Sequence, residues 1–411
     1  MSTATRPAPV MVPWYLWTGV VAVTSSFLGG AWDVSWHRTI GRDSFWTPAH
    51  MLIYACALLA GMVGIWFVLQ CTFGRDAELR SGSVSLFGLR APVGVFLAGW
   101  GGAAMLVSAP FDNWWHSAYG LDVKIVSPPH TLLILGIRAV SIGMLFLILA
   151  AMNRAADAGA PGFKPLQRIF LYLGGLAVGG QMFFLQEYTW EGMLHRSVAY
   201  IAIGLGVPLL LATFSQASRF RWAATTTALV YTLFNIGEIL ILPLFSAHPR
   251  LGPVFNPVTH MVPAKFPVLL LVPALALDLL WSRTAGWRRW QIALVSGILF
   301  IAVLAIVEWP FASFLMSPAS QNRFFGTIYF GYNSPPTSYD RMRRFLSPDH
   351  GSVLALGLLR AALYASLSTW IGRDLRTMDA RRAALDHSAP PRPRGSSPRD
   401  RHPALRYPRT W

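Results

Sequence analysis

Ten apolar runs, each near the twenty residues a helix needs to cross about 30 Å of hydrocarbon, punctuate this chain at 14–32, 51–71, 92–111, 131–152, 168–186, 197–216, 222–245, 266–282, 291–309 and 351–371. Within a bilayer the backbone must satisfy its own hydrogen bonds, so runs of this length and number read as helices. The expected fold class is therefore all-α: a polytopic integral membrane protein of about ten transmembrane helices. Composition agrees, with 54% apolar residues, 13% charged residues and a mean hydropathy of +0.44 over 411 residues. The first run follows a polar segment with a single Arg and no small-residue cleavage signal, so it is read as a retained span that leaves the N-terminus cytoplasmic.

Basic residues set the orientation. They cluster in alternate loops, at Arg75, Arg80 and Arg90, at Arg154 and Lys164, at Arg219 and Arg221, at Arg283, Arg288 and Arg289, and as ten Arg from Arg373 onward. Loops enriched in this way face the cytoplasm. The net charge of +16 then needs no nucleic acid, because anionic lipid of the bilayer is the ready partner. Residues 1–372 form the expected transmembrane unit, with helical hairpins at about 14–71, 92–152 and 168–216, followed by 222–371. Residues 373–411, rich in Arg and Pro, form a cytoplasmic tail expected to be disordered. A bacterial inner membrane suits this plan. Only two Cys occur, Cys56 and Cys71, which excludes a disulfide framework and a Cys-based metal pattern.

The repeat within this framework carries the chemistry. Asp33, Trp36 and His37 run on to Arg42-Asp43 and Thr47-Pro48-Ala-His50; Asp112, Trp115 and His116 run on to Asp122 and Ser127-Pro128-Pro-His130. Asp and His four apart share one helix face, and a His 13 or 14 residues later can fold back onto them to build a metal site, with Asp43 and Asp122 as further ligand candidates. The alternation of spans places both copies in extracytoplasmic loops, with eight of the ten His in or beside those loops. Partial echoes occur at Glu187, Trp190, Glu191 and His195, and at Ser347-Pro348-Asp-His350. His260, Glu238 and Arg138 complete the secondary candidates; Arg138, Glu238 and Arg360 sit inside spans, where charges are expected to pair.

Plainer roles compete with each of these. Ser or Thr before Pro is an ordinary helix start, Trp belongs in interfacial belts, and a lone Asp-x-x-x-His serves equally well as a buried hydrogen-bonded pair. None of these explains why acid, Trp and His keep one register in both copies.

The run Asp33-x-x-Trp36-His37, Arg42-Asp43, Thr47-Pro48-x-His50 resembles the metal-binding segment of the C subunit of copper membrane monooxygenases, the particulate methane and ammonia monooxygenases. The resemblance spans about twenty residues, with a weaker copy at Asp112, His116 and His130 that has one extra residue between the two His. It implies copper at Asp33, His37 and His50, a copper-dependent monooxygenase subunit as the enzyme, and other monooxygenase-like subunits or a periplasmic copper or electron-transfer protein as partners. The chain is longer than that subunit and doubles the motif. Imidazole and carboxylate donors suit copper, and they also suit zinc or iron. No haem or flavin motif and no assigned catalytic residue accompany the metal candidates.

Three functions suit these residues. One is a copper protein that oxidises a small hydrophobic substrate with O2. Another is a copper-handling or assembly protein without turnover, favoured by Met51 and Met261 beside motif His residues. The third is a proton-coupled transporter built on Arg138, Glu238 and Arg360.

Overall fold

The computed structural model describes residues 12–120, 127–157, 163–251, 258–263, 265–329 and 346–387. A helix occupies each apolar run: α1 Trp14–Thr39, α2 Pro48–Thr72, then, after the short α3 Ala77–Ser81, α4 Val93–Tyr119, α5 Pro128–Asp157, α6 Phe163–Phe184, α7 Ser197–Ser218, α8 Ala223–Ile241, α9 Leu271–Trp281, α10 Arg289–Leu315 and α11 Gly351–His387. Seven of them are long and apolar enough to cross a membrane: α2, α4, α5, α7, α8, α10 and the first 24 residues of α11. At 26 and 22 residues, α1 and α6 have spanning length but fall short of that apolarity. With 11 residues, α9 rises only about 17 Å, half a bilayer core. Its expected start at 266 is lost because Pro263 and Pro267 interrupt the helix there. The freed amide of Leu269 donates instead to the buried Glu308 carboxylate at 2.8 Å.

Two antiparallel strands, β1 Val84–Leu86 and β2 Leu89–Ala91, join α3 to α4, with Val84 opposite Ala91. Past residue 372, the expected end of the transmembrane unit, α11 stays helical to His387. Residues 388–411 of the expected tail lie outside the described residues.

Two apolar cores divide the bundle. One joins α1, α2, α4, α5 and most of α6; the other joins α7 to α11 and reaches Val178 and Met182 on α6. The hairpins expected at 14–71 and 92–152 form, since α1 packs on α2 and α4 on α5. The third does so less: α7 packs chiefly on α11 rather than on its sequence neighbour α6.

Glycine sets the separation of α4 and α5. A Cβ at Gly101 would lie 2.6 Å from the Gly136 carbonyl oxygen, and one at Gly136 would lie 2.7 Å from that of Gly101. Gly94 and Gly143 form a second such pair, one heptad away on each helix. Close backbone approach of this kind is how helices associate where lipid offers no hydrophobic drive.

The segments expected outside the cytoplasm meet at one end of the bundle. Arg250 N–H donates to Ile40 O at 2.9 Å, Ser35 Oγ to Val262 O at 2.6 Å and Asp349 N–H to His195 O at 3.0 Å. Both motif copies sit at that end.

Candidate metal centre

The first cluster is made by the last turn of α1, the following loop and the first turn of α2. Asp33 and His37 share a face of α1, and Gly41, at φ 82°, reverses the chain just after it. The indole of Trp36 donates to the Arg42 carbonyl at 3.0 Å, which ties down the loop bearing Asp43. That bond gives the motif Trp a task beyond the interfacial belt. Pro48 opens α2, but the Thr47 hydroxyl does not cap it; it accepts from Ser44 N–H at 2.8 Å and tightens the loop instead.

His50 Nε2 then lies 3.1 Å from Asp33 Oδ1 and 3.4 Å from Asp43 Oδ2. His37 Nε2 lies 3.8 Å from Asp33 and 3.6 Å from Asp43. One ligand atom each from Asp33, Asp43 and His50 fits within 4.8 Å, with His37 on the more exposed side at 43%.

The second cluster repeats this plan between α4 and α5. His116 Nε2 lies 3.4 Å from Asp112 Oδ2, and His130 Nε2 lies 3.3 Å from Asp112 Oδ1. One ligand atom each from Asp112, His116 and His130 again fits within 4.8 Å. Gly120, at φ 86°, ends α4 four residues past His116, just as Gly41 lies four residues past His37. The repeat therefore includes a glycine that the sequence reading passed over, and its signal is a shared offset. His116 Nδ1 lies 3.1 Å from the Gly120 carbonyl. With Nδ1–H donating there, Nε2 is left as the ligand atom. Ser127 accepts from His130 N–H at 3.4 Å, so this Ser does cap its helix. Asp122 lies outside the described residues.

The two clusters face one another. Asp33 and His50 from one, and Asp112 and His130 from the other, line a single cavity of about 50 Å³, completed by Ile53, Tyr54, Ser108, Ala109, Pro129 and Leu133. The approach of α2 to α4 at Gly102, where a Cβ would meet Ala57 O at 3.0 Å, brings the hairpins together. Tyr54 was not singled out in the sequence. Its ring centroid lies 6.1 Å from that of His50, one helical turn away, so the rule that found Asp33 and His37 would also have found it.

No known protein family, curated protein or solved structure matches this chain.

The secondary candidates do not join these clusters or build a third metal-capable group among the described residues. Helix α6 ends at Phe184 and the chain continues in 3-10 turns, so Glu187 and Glu191 share no helix face: Glu187 is exposed and Glu191 buried. His195 is buried, its Nε2 2.9 Å from Ser313 Oγ and 3.0 Å from Trp309 O. Burial holds its pKa below the ordinary value, only partly opposed by the Trp309 carbonyl.

His260 pairs with Ser246 across a β-bridge and contacts Thr259 Oγ1 at 2.9 Å. His350 is exposed just before α11, which begins three residues after Pro348, so Ser347-Pro348 does not open that helix. The neighbouring Asp349 caps α7 instead, accepting from Ser197 N–H at 2.9 Å and Oγ at 2.7 Å.

The expected intramembrane ion pairs do not form among the described residues. Both Glu238 oxygens are buried without a hydrogen-bond partner, Arg138 lies over the Phe184 ring at 5.0 Å, and Arg360 is exposed. Met261 packs with Leu242, Ala247, Trp32 and Trp36, which accounts for it as an apolar contact. Lys265, also missed, donates to Gln186 O and Thr189 Oγ1 and lies 4.8 Å from the Trp190 ring centroid. Burial lowers its ammonium to about 7, against Glu191 and Glu187, which raise it.

Proposed function

We propose that this chain is an integral membrane metal protein that binds copper at both Asp/His clusters, on the extracytoplasmic side of a bacterial inner membrane. The observation that carries the reading is the convergence of Asp33, Asp43 and His50 within 4.8 Å, at the end of a hairpin and facing the Asp112 cluster across one cavity.

The donor spacing fits a small transition metal. Ligands about 2.1 Å from a tetrahedral ion lie about 3.4 Å apart, and the Nε2–Oδ separations of 3.1, 3.3 and 3.4 Å fall at or just below that edge. An Asp–His hydrogen bond alone does not account for the first cluster, because the one Nε2–H of His50 cannot satisfy Asp33 and Asp43 together. A cation at that point would neutralise both carboxylates. Mixed imidazole and carboxylate donors favour copper among divalent first-row metals, and zinc and iron use the same donors.

The residues around the cavity divide the work. Asp33, Asp43, His37 and His50 would hold one metal, and Asp112, His116 and His130 a second. The Trp36 bond to Arg42 and the His116 bond to Gly120 pre-set the donors. Ile53, Ala109, Pro129 and Leu133 limit water and leave room for one very small molecule. Bound copper supplies one-electron redox chemistry and affinity for O2, which suits oxidation of a small hydrophobic substrate, with electrons from a partner subunit, a periplasmic carrier or membrane quinol.

Metal analysis of the purified protein tests this reading. The expectation is two coppers per chain; Asp33→Ala or His50→Ala removes one, and Asp112→Ala or His130→Ala removes the other. A wild-type protein with no more metal than these variants would end it. Oxygen uptake with a reductant and a small hydrocarbon then separates an oxidising subunit from a copper-handling protein without turnover.

A further inference from the structure

Arg360 lies in the span Gly351–Asp374 with its side chain on the exposed face of α11. It is nine residues from one end and fourteen from the other, about 14 Å and 21 Å deep along the helix. Its guanidinium makes no hydrogen bond or ion pair with any described residue. The opposite face of α11 accounts for the intramolecular packing: Gly357, Ala361, Ala365, Ser368 and Thr369 are buried there, against α7 and α10.

The exposed face has an order of its own. Val353, Leu356, Leu359, Leu363, Tyr364, Leu367, Trp370 and Ile371 are 41% to 62% exposed, and within that face Val353, Leu356, Arg360, Leu363, Leu367 and Trp370 fall at intervals of three, four, three, four and three residues. That row has the spacing along which a helix can pack on one other helix, with Arg360 near its centre. A charge at this depth is costly in lipid and is retained where a partner meets it. Headgroup phosphates lie beyond the reach of the side chain from this depth.

Among the described side chains, a second copy offers no exposed carboxylate at that depth: Glu191, Glu238, Asp278 and Glu308 are buried, Asp33, Asp43 and Asp112 face their own His residues, and Asp76, Glu187, Asp349 and Asp374 lie outside the spans or at their ends. We propose that the outer face of α11 docks one transmembrane helix of a different protein, which carries an Asp or Glu at mid-membrane depth opposite Arg360. The inference is independent of the metal reading.

Photo-crosslinking in native membranes tests it, with a reactive residue placed singly at 353, 356, 363 and 367 of the full chain and, as controls, on the buried face at 361 and 365. The expected result is one adduct from the positions on that row alone, mapping to a transmembrane segment of another protein with an Asp or Glu at the depth of Arg360. Arg360→Leu should lower adduct yield roughly tenfold, the scale of one interhelical polar contact in a membrane, and Arg360→Lys should retain most of it. Reversing the charge with Arg360→Glu and restoring the adduct with Lys at the partner's acid would complete the case. Adducts to lipid alone, to a second copy of this chain, or to a helix without an acid would overturn the proposal. So would an adduct yield indifferent to Arg360→Leu, provided the variant keeps the wild-type melting temperature.

Discussion

The two clusters are built from the same offsets but are tied down by different bonds. The first brings two carboxylates, Asp33 and Asp43, to two imidazoles; the second, among the described residues, brings Asp112 alone to two imidazoles. In the first, the Trp36 indole holds the loop through the Arg42 carbonyl; in the second, the Gly120 carbonyl orients His116 and Gly pairs set the separation of α4 and α5. Asp122 keeps the offset of Asp43, six residues past the helix His, and lies outside the described residues.

The largest expected effect comes from removing the acid that both His of a cluster face. Asp33→Ala should weaken copper binding at the first site by at least about 100-fold while leaving the second loaded, and Asp112→Ala should do the reverse. Metal-to-protein ratios by mass spectrometry would read both. Loss of both metals in either variant would mean that the cavity holds one shared centre rather than two.

Gly136→Leu comes next. It would push α4 and α5 apart, lower stability by about 1–3 kcal/mol and empty the second site before the first, because only the second spans that helix pair. A thermal melt followed by metal analysis checks the order of loss. Asp43→Asn is gentler: it reduces the first site to one carboxylate, with an expected affinity drop of about tenfold in a competition titration. An unchanged affinity would show that Asp43 does not ligate.

The smallest effect separates the clusters from a histidine with a structural task. His195→Gln should leave metal content unchanged and flatten the acid side of the stability profile. The folded pKa of His195 lies below the ordinary 6.5, so the unfolded chain takes up the proton first and wild-type stability falls as pH drops from 6.5 towards the lowered value. Melting temperatures at pH 5 and pH 7.5 test the sign.

Much of this was legible in sequence because bilayer and helix geometry are local rules. A helix stands at every apolar run, and Asp33 with His37 and Asp112 with His116 share helix faces as their four-residue spacing requires. Where the rule fails, the reason is a backbone break: Glu187 and Glu191 keep the spacing but lie past the end of α6, and α9 starts late behind two prolines. The expected bridge from Arg138 or Arg360 to Glu238 or a motif acid is missing among the described residues for another reason. Spans far apart in sequence give no indication of which faces meet.

Residue order alone determined an all-α membrane chain, a duplicated metal-capable motif and the offsets within each copy, since hydrophobic length and helical periodicity act over a few turns. Tertiary structure decided that the two clusters share one cavity with Tyr54 at its wall, and that Arg360 faces outward. Those outcomes depend on how closely glycines let backbones approach and on which helix faces bury each other, and such contacts join residues that no local pattern relates.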